Sequence, residues 1–329
     1  MTLFELNKPK HIEKEYLESM KDGLIDRIIN GKIKGKSRVL LSDSMKSILI
    51  PNYNGGQPDY SRVETLLIGE PSRLFQLNNQ IKGEINQINL VKDRPSDGKL
   101  EVIFDYDGIF NSTSKSKAYN LSLKIGANTC CYCNRQYTFT VVTNGNNNSN
   151  DRITRPAFDH WFPKSKFPLL SISLYNLIPS CTICNSSAKG SQNVDLENFI
   201  HPYDTTHSKP KIEFMAVPST EDGKRWTIKI DRKQGSREDN TIKLFCLDEI
   251  YKMHDLLELK DIMVFKENYS EEYLKELMDL LKNKSINPSL TTKDVYRMLF
   301  GVEYDDDKNL DRPFGKMKND ILKNILSIK

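Results

Sequence analysis

Between residues 13 and 29 the apolar side chains Tyr16, Met20, Leu24 and Ile28 fall four apart, separated by charged and polar positions. That stripe predicts an amphipathic helix that packs against a neighbouring element. Gly31, Gly35 and the polar run 51–60 (PNYNGGQPDY) interrupt the pattern and read as turns and loop. Further helices are predicted over 71–90 and 114–125. Residues 1–126 therefore read as a mostly helical region, expected to shield or dock the central part of the chain. The competing reading is an arm that binds substrate or a partner.

The pattern changes at Ala127. The segment ANTCCYCNRQY puts Cys130 and Cys133 in a tight turn, and YTFTVVT (137–143) is aromatic and β-branched, as a strand should be. The polar run NGNNNSND (144–151) opens with the turn dipeptide Asn-Gly, and 152–160 reads as the returning strand. A hairpin thus joins the first cysteine pair to Asp159 and His160. A short helix is predicted over 185–192, a loop over 199–204 (FIHPYD), and two strands over 211–217 and 226–231. Helical spacing resumes over 241–284, where Leu256, Leu259, Ile262 and Met263 precede Tyr273, Leu277, Leu280 and Leu281, and a closing helix covers 314–328. The expected class is α+β in three stretches: helical 1–126, a central module 127–200, and a hairpin followed by helices over 201–329. No internal repeat or heptad run is present.

Composition narrows the function classes. Hydrophobic residues make up 38% and charged residues 28% of the 329 residues, enough apolar content for cores under a polar surface. No run approaches 18 apolar residues, so no membrane span is expected. The opening MTLFELNKPKHIEKEY has no apolar signal core, and a cytoplasmic location is expected. A net charge of +4 does not by itself announce nucleic acid, so local charge has to be weighed instead. Six cysteines in a chain expected in a reducing compartment are poor disulfide candidates.

Four of those cysteines stand in two C-x-x-C pairs, Cys130/Cys133 and Cys181/Cys184, the ligand set of a tetrahedral structural Zn²⁺. Cys131 and Cys246 read as packed neighbours. Residues 134–180 lie between the pairs, so zinc would tie the start of the hairpin to the start of the following helix. Structural zinc is worth on the order of 10–16 kcal/mol in small peptides, comparable to the stability of a whole domain. The plainer readings are reduced thiols that merely pack, or a redox pair. Zinc closed in by four thiolates has no open position for substrate, so any chemistry must lie elsewhere.

Asp159, His160, Asn176 and Asn185 are the candidates. Cutting a phosphodiester needs a base to activate water and a cation to stabilise the leaving oxygen. Neighbours on a strand point to opposite faces, but an end of the strand here would let Asp159 and His160 reach metal and water from adjacent directions. Asn185 follows Cys184, so zinc would fix its position. An Asp carboxylate with an Asn carbonyl is a hard oxygen set suited to Mg²⁺ or Mn²⁺. Arg155, Lys164, Lys166 and Lys189 flank the set as candidate phosphate contacts, or equally as solvated charges. The basic run Lys224, Arg225, Lys229, Arg232, Lys233 and Arg237, with Trp226, is a weaker candidate. Taken singly, an Asp-His pair is more often structural, and either Asn more often a turn or cap residue.

Taken together, Asp-His, an Asn sixteen residues on and a second Asn nine further, beside four cysteines, resemble the HNH (ββα-metal) endonucleases over 128–192, roughly a fifth of the chain. The resemblance implies His160 as general base, Asp159 and Asn185 as ligands of a single catalytic Mg²⁺ or Mn²⁺, and Asn176 as the brace that orients His160. It also implies products with a 5′-phosphate and a 3′-hydroxyl. The last motif position is Asn rather than His, a variation also found among HNH domains. The segments DHWFPKS, NLIPSC, CN and KG further resemble HNH effectors of bacterial anti-phage systems of the Septu and retron-associated kind, which often work beside an ATPase partner. Nucleic acid is the expected partner, DNA first and RNA, including tRNA, as the alternative. The rivals are a zinc-stabilised nucleic-acid-binding module without catalysis, and an interaction scaffold that has lost its activity.

Overall fold

A computed structural model of the chain describes residues 3–31, 37–89, 98–110, 116–143, 152–219, 225–281 and 289–326. The first stretch is helical: α1 (Glu13–Asn30), α2 (Asp43–Leu49), α3 (Ser61–Ile68), α4 (Pro71–Asn89), α5 (Gly98–Ile103), α6 (Tyr106–Phe110) and α7 (Ser116–Ile125). The stripe that predicts α1 is the one it buries: Tyr16, Met20, Leu24 and Ile28. The helix packs against α2, α3 and α5. Gly31 ends it at φ 63°, where a Cβ would stand 2.2 Å from the Val39 carbonyl oxygen, so the left-handed turn needs glycine.

Three two-stranded antiparallel ribbons come next: β1 (Val141–Val142) with β2 (Arg152–Thr154), β3 (Ala157–His160) with β4 (Leu177–Ser180), and β5 (Glu213–Pro218) with β6 (Trp226–Asp231). The strand expected over 152–160 is therefore two, broken at Arg155 and Pro156. β3 turns away from β1 to pair with β4, in a register running from Ala157↔Ser180 to His160↔Leu177. The strand expected over 137–143 shrinks because its start pairs elsewhere. Tyr137 bridges to Thr129, and the Thr138 N–H donates to the Asn128 carbonyl at 2.9 Å. The loop 144–151 lies outside the described residues.

Between β3 and β4 the chain makes two short 3₁₀ turns, Pro168–Leu170 and Leu174–Asn176. The N-terminal helices dock on this connection. The Tyr16 hydroxyl donates to the Ile172 carbonyl at 2.6 Å, Ser173 donates to the Leu66 carbonyl, and Tyr175 to Glu13. After β4 comes a π-helical turn, Ile183–Lys189, where a short helix over 185–192 is expected.

The last stretch carries α8 (Arg237–Leu244), α9 (Leu247–Lys252), a π-helical turn (Asp255–Leu259), α10 (Lys260–Asn268), α11 (Glu271–Leu281), α12 (Thr292–Phe300) and α13 (Gly315–Leu326). α12 opens on a capping box of Thr291 and Asp294. α13 lies on β5, where Asp320 accepts the Phe214 N–H at 2.9 Å. Two bases of the basic run are taken up inside the fold: Arg232 pairs with Asp239 at 3.1 Å and Asp248 at 2.6 Å, and Arg237 with Asp204 at 3.1 Å. Lys224 lies outside the described residues. Buried side chains from Leu3 to Leu322 form one hydrophobic cluster, so the three stretches share a core. The fold is mixed α+β, with small sheets. Among the described residues no helix is long and apolar enough to cross a membrane.

Candidate functional site

The two cysteine turns meet. The ligand atoms of Cys130, Cys133, Cys181 and Cys184 all lie within 4.8 Å of one another, in buried surroundings. A Zn–S bond of about 2.3 Å sets S···S edges of about 3.8 Å in a tetrahedron, and Cys133 Sγ stands 3.9 Å from Cys181 Sγ. The donor set therefore fits a zinc ion, which would take all four as thiolates. Hydrogen bonds from the neighbouring thiols already hold the Cys181 thiol well below its ordinary range. Cys131 is buried but outside the cluster, and Cys246 is exposed.

The turns are braced differently. Asn134 adopts φ 45° and gives its N–H to the Cys130 carbonyl at 2.7 Å. Its side-chain amide donates to Thr129 Oγ1 at 2.9 Å and to the Arg312 carbonyl at 3.0 Å, while Oδ1 accepts the Lys316 N–H at 3.1 Å. Tyr251 donates to the Cys133 carbonyl at 2.7 Å. The second turn is local: the Cys184 N–H points at Cys181 Sγ at 3.4 Å, and the Asn185 N–H donates to the Cys181 carbonyl at 3.0 Å.

β3 keeps its alternation to its last residue, which places Asp159 and His160 on opposite faces. His160 Nε2 lies 2.8 Å from the Ser171 carbonyl oxygen. A carbonyl only accepts, so Nε2 carries the proton and Nδ1 the lone pair. The half-buried ring meets Tyr106 of α6 edge-on, with centroids 4.6 Å apart. Burial pushes the His160 pKa down to about 4. The Ser171 carbonyl opposes this shift, and Lys164 and Lys189 add to it. The imidazole is therefore neutral at neutral pH.

Asn176 is fully buried and clamps the connection that carries Ser171. Its Oδ1 accepts the Phe162 N–H at 2.7 Å, and its Nδ2 donates to the carbonyls of Phe162 at 3.1 Å and Leu170 at 2.8 Å. Its own carbonyl accepts the Trp161 N–H at 3.1 Å. The imidazole is thus positioned from both ends of one loop.

On the other face, Asp159 is 2% exposed and Lys189 1% exposed. Lys189 Nζ donates to Asp159 Oδ1 at 3.0 Å and to the His160 carbonyl at 2.8 Å, and the Tyr132 hydroxyl donates to Asp159 Oδ2 at 2.7 Å. Burial raises the carboxyl pKa, with Lys189 and Tyr132 opposing it. Asn185 is half-buried, and its amide donates to Ser186 Oγ at 3.3 Å. No hydrogen bond among the described residues joins Asp159, Asn185 and the His160 ring. As arranged, the residues expected to hold Mg²⁺ or Mn²⁺ do not fit that ion: the carboxylate is enclosed by an ammonium and a hydroxyl, and the base faces away from it.

Of the expected phosphate contacts, Lys189 is buried in that pair. Lys164 is exposed and pairs with Asp107 of α6 at 2.7 Å, with its ammonium 5.7 Å from the Tyr106 ring centre. Lys166 is exposed. Arg155 lies over the rings of Tyr119 and Phe158 and donates to the Pro156 carbonyl at 2.7 Å. It helps line an open groove of about 500 Å³ with Ile153, Thr154 and Thr182. Nothing in the sequence marks Ser171, Tyr106 or Asn134. Tyr132, set inside the first C-x-x-C, carries the side chain that reaches from the cysteine turn to Asp159.

No protein-family model, characterised protein or solved structure matches the chain.

Proposed function

We propose that the chain is a nuclease that hydrolyses phosphodiester bonds of nucleic acid, DNA in the first instance, with His160 as general base. In this reading residues 128–192 are an HNH-like ββα module. The observation that carries it is the imidazole. Its Nε2–H is fixed on the Ser171 carbonyl and its ring is kept neutral, so Nδ1 is a free base at neutral pH. The succession of β3, a clamped loop, β4 and a π-helical turn, with four cysteines at its base, supports the ββα reading.

The step assigned to the chain's own residues is short. Nδ1 takes a proton from water as the water oxygen attacks phosphorus. The bond from phosphorus to the leaving oxygen breaks, that oxygen takes a proton from solvent, and the imidazolium returns its own to solvent, giving a phosphate monoester and a hydroxyl. The HNH resemblance makes these the 5′-phosphate and the 3′-hydroxyl. An incoming phosphate would take Lys164 from Asp107, exchanging one anion for another on an exposed ammonium. Zinc at the cysteines would supply rigidity alone.

The enclosed carboxylate of Asp159 favours a second reading, cleavage of RNA. There the ribose 2′-hydroxyl is an internal nucleophile that a neutral imidazole can deprotonate without a divalent ion. The test is cleavage of plasmid DNA and of total RNA by zinc-loaded protein, with Mg²⁺ and with EDTA, for wild type and His160→Ala. The variant should lose cleavage at unchanged zinc content, with a melting temperature lower by only a few degrees, and cutting at the wild-type rate would overturn the assignment of His160. RNA cleavage that persists in EDTA at full zinc content selects the second reading. Absence of cleavage under every condition would favour a binding module.

A further inference from the structure

The segment leading into β1 turns its polar side chains inward and its apolar ones outward. Thr138 is buried and gives its hydroxyl to the Ala127 carbonyl at 2.8 Å, and the Thr140 hydroxyl meets that of Ser122 at 2.6 Å. The alternate positions Tyr137, Phe139 and Val141 therefore face solvent, with the two rings 51% and 48% exposed. Those rings stack on each other, their centroids 4.6 Å apart and their planes within 19°. An apolar row on the outer face is the reverse of what burial alone would select, and it marks a contact surface.

The row leads to the open groove beside β2. Val141 pairs with Thr154, which with Ile153 forms one wall of that groove. Its volume of about 500 Å³ is that of a small-ligand cleft, roughly 300–1,000 Å³. Arg155 lies within it, its guanidinium over the rings of Tyr119 and Phe158. No carboxylate lines the groove, and the stretches 129–143 and 152–158 carry Arg135, Arg152 and Arg155 without one acid. Phe110, another of its walls, stacks on Tyr106 at 4.8 Å, and Tyr106 meets the His160 ring at 4.6 Å. Two ring contacts thus separate the groove from the imidazole.

We propose that this groove and the Tyr137–Phe139 edge bind unpaired nucleotides, so that the chain engages nucleic acid as a single strand. The inference rests on the nuclease reading for what happens at His160 and adds the form in which the substrate arrives. Flat rings open to solvent, a planar guanidinium and an acid-free surface suit bases and phosphates together. A duplex keeps its base faces stacked inside and has none to offer such rings. A protein partner would gain from the apolar row but nothing from the positive charge beside it.

The test is the binding of short fluorescein-labelled oligonucleotides, read by anisotropy, to the zinc-loaded full chain carrying His160→Ala, which keeps the strands intact. A single strand should bind about tenfold more tightly than a duplex of the same sequence. A strand with abasic sites, which keeps its phosphates and lacks the bases, should lose about tenfold. Adding Tyr137→Ala with Phe139→Ala should cost the intact single strand a similar factor and leave duplex binding unchanged. Arg155→Lys, which keeps the charge without the planar fork, should weaken single-strand binding about fivefold at an unchanged salt slope. Equal binding of abasic and intact strands, or of the ring variant and its parent, overturns the proposal and returns the apolar row to a protein partner. Failure to bind any single strand overturns it as well. The abasic comparison needs no substitution in the ribbon, so a misfolded variant cannot obscure the result. Wild type that binds by these rules yet cleaves nothing would sink the nuclease reading and leave the single-strand site standing. Cleavage by wild type, with the ring variant undiminished in affinity, would do the reverse.

Discussion

The two faces of β3 are one residue apart and chemically unlike. Inside, Asp159 is closed off, paired with an ammonium and hydrogen-bonded by a tyrosine. Outside, His160 is half-open, uncharged and held by one carbonyl. The inner pair is a buried charge network whose members are costly to remove singly. The outer ring is engaged by a single hydrogen bond and the edge contact with Tyr106. Alternation along a four-residue strand thus separates a group that holds the module together from a group free to take a proton.

Five variants bear on that division. The largest effect is expected beneath both faces. Cys181→Ser should lower zinc content, measured by elemental analysis, and cost several kcal/mol or abolish cooperative unfolding, since structural zinc is worth on the order of 10 kcal/mol in small peptides; full zinc retention would remove the staple. Next, Asp159→Ala leaves the Lys189 ammonium buried without its partner, and urea unfolding should show a loss of about 3–5 kcal/mol. His160→Ala should cost about 1 kcal/mol by the same measurement. Equal losses would erase the contrast between the faces.

A pH-dependent effect comes from the wall behind the hairpin. His201 packs on Trp161 and Phe162, its Nδ1 accepts the Tyr203 N–H at 3.1 Å, and its buried Nε2 has no hydrogen-bond partner among the described residues. Burial pushes its pKa down to about 3, with Asp204 opposing and Lys189 and Arg237 adding. A depressed folded-state value means that the unfolded chain binds the proton first. The contribution is therefore complete above pH about 6.5 and is lost as the pH falls toward 3. By pH 5 it should have fallen by on the order of 2 kcal/mol, and His201→Leu should remove that share of the slope, leaving the share of His160, which is depressed in the same direction. A slope unchanged in the variant would locate the sensitivity elsewhere. Smallest of all, Lys164→Ala breaks only an exposed pair and should change stability by less than about 0.5 kcal/mol, while weakening cleavage most at low salt and flattening its salt dependence.

The helices were legible where they were long enough to show a stripe. Tyr16, Met20, Leu24 and Ile28 repeat through four turns, whereas α2, α5 and α6 are too short to establish a period. β6 was legible with its bounds, and β4 was not: Leu177–Ser180 is buried at every position and contains Pro179, so neither alternation nor composition marks it. The four cysteines announced their own cluster because metal ligation imposes a spacing. Asp159 with Lys189, and His160 with Ser171, are separated by 30 and 11 residues and joined by packing alone, which leaves no local trace. The exposed lysine and the buried one looked alike in sequence, since only the fold decides which charge meets water.

Asn134 joins the first cysteine turn to residues 312–316, which lie some 180 positions further along the chain. A ribosome would finish the four cysteines well before it makes the backbone groups that hold the first two in place. An early-captured zinc ion would then sit among incompletely positioned thiolates, and the hairpin bearing His160 would settle only once that distant segment had arrived. Under the proposed nuclease reading, such an order of assembly would postpone competence until the greater part of the polypeptide is present.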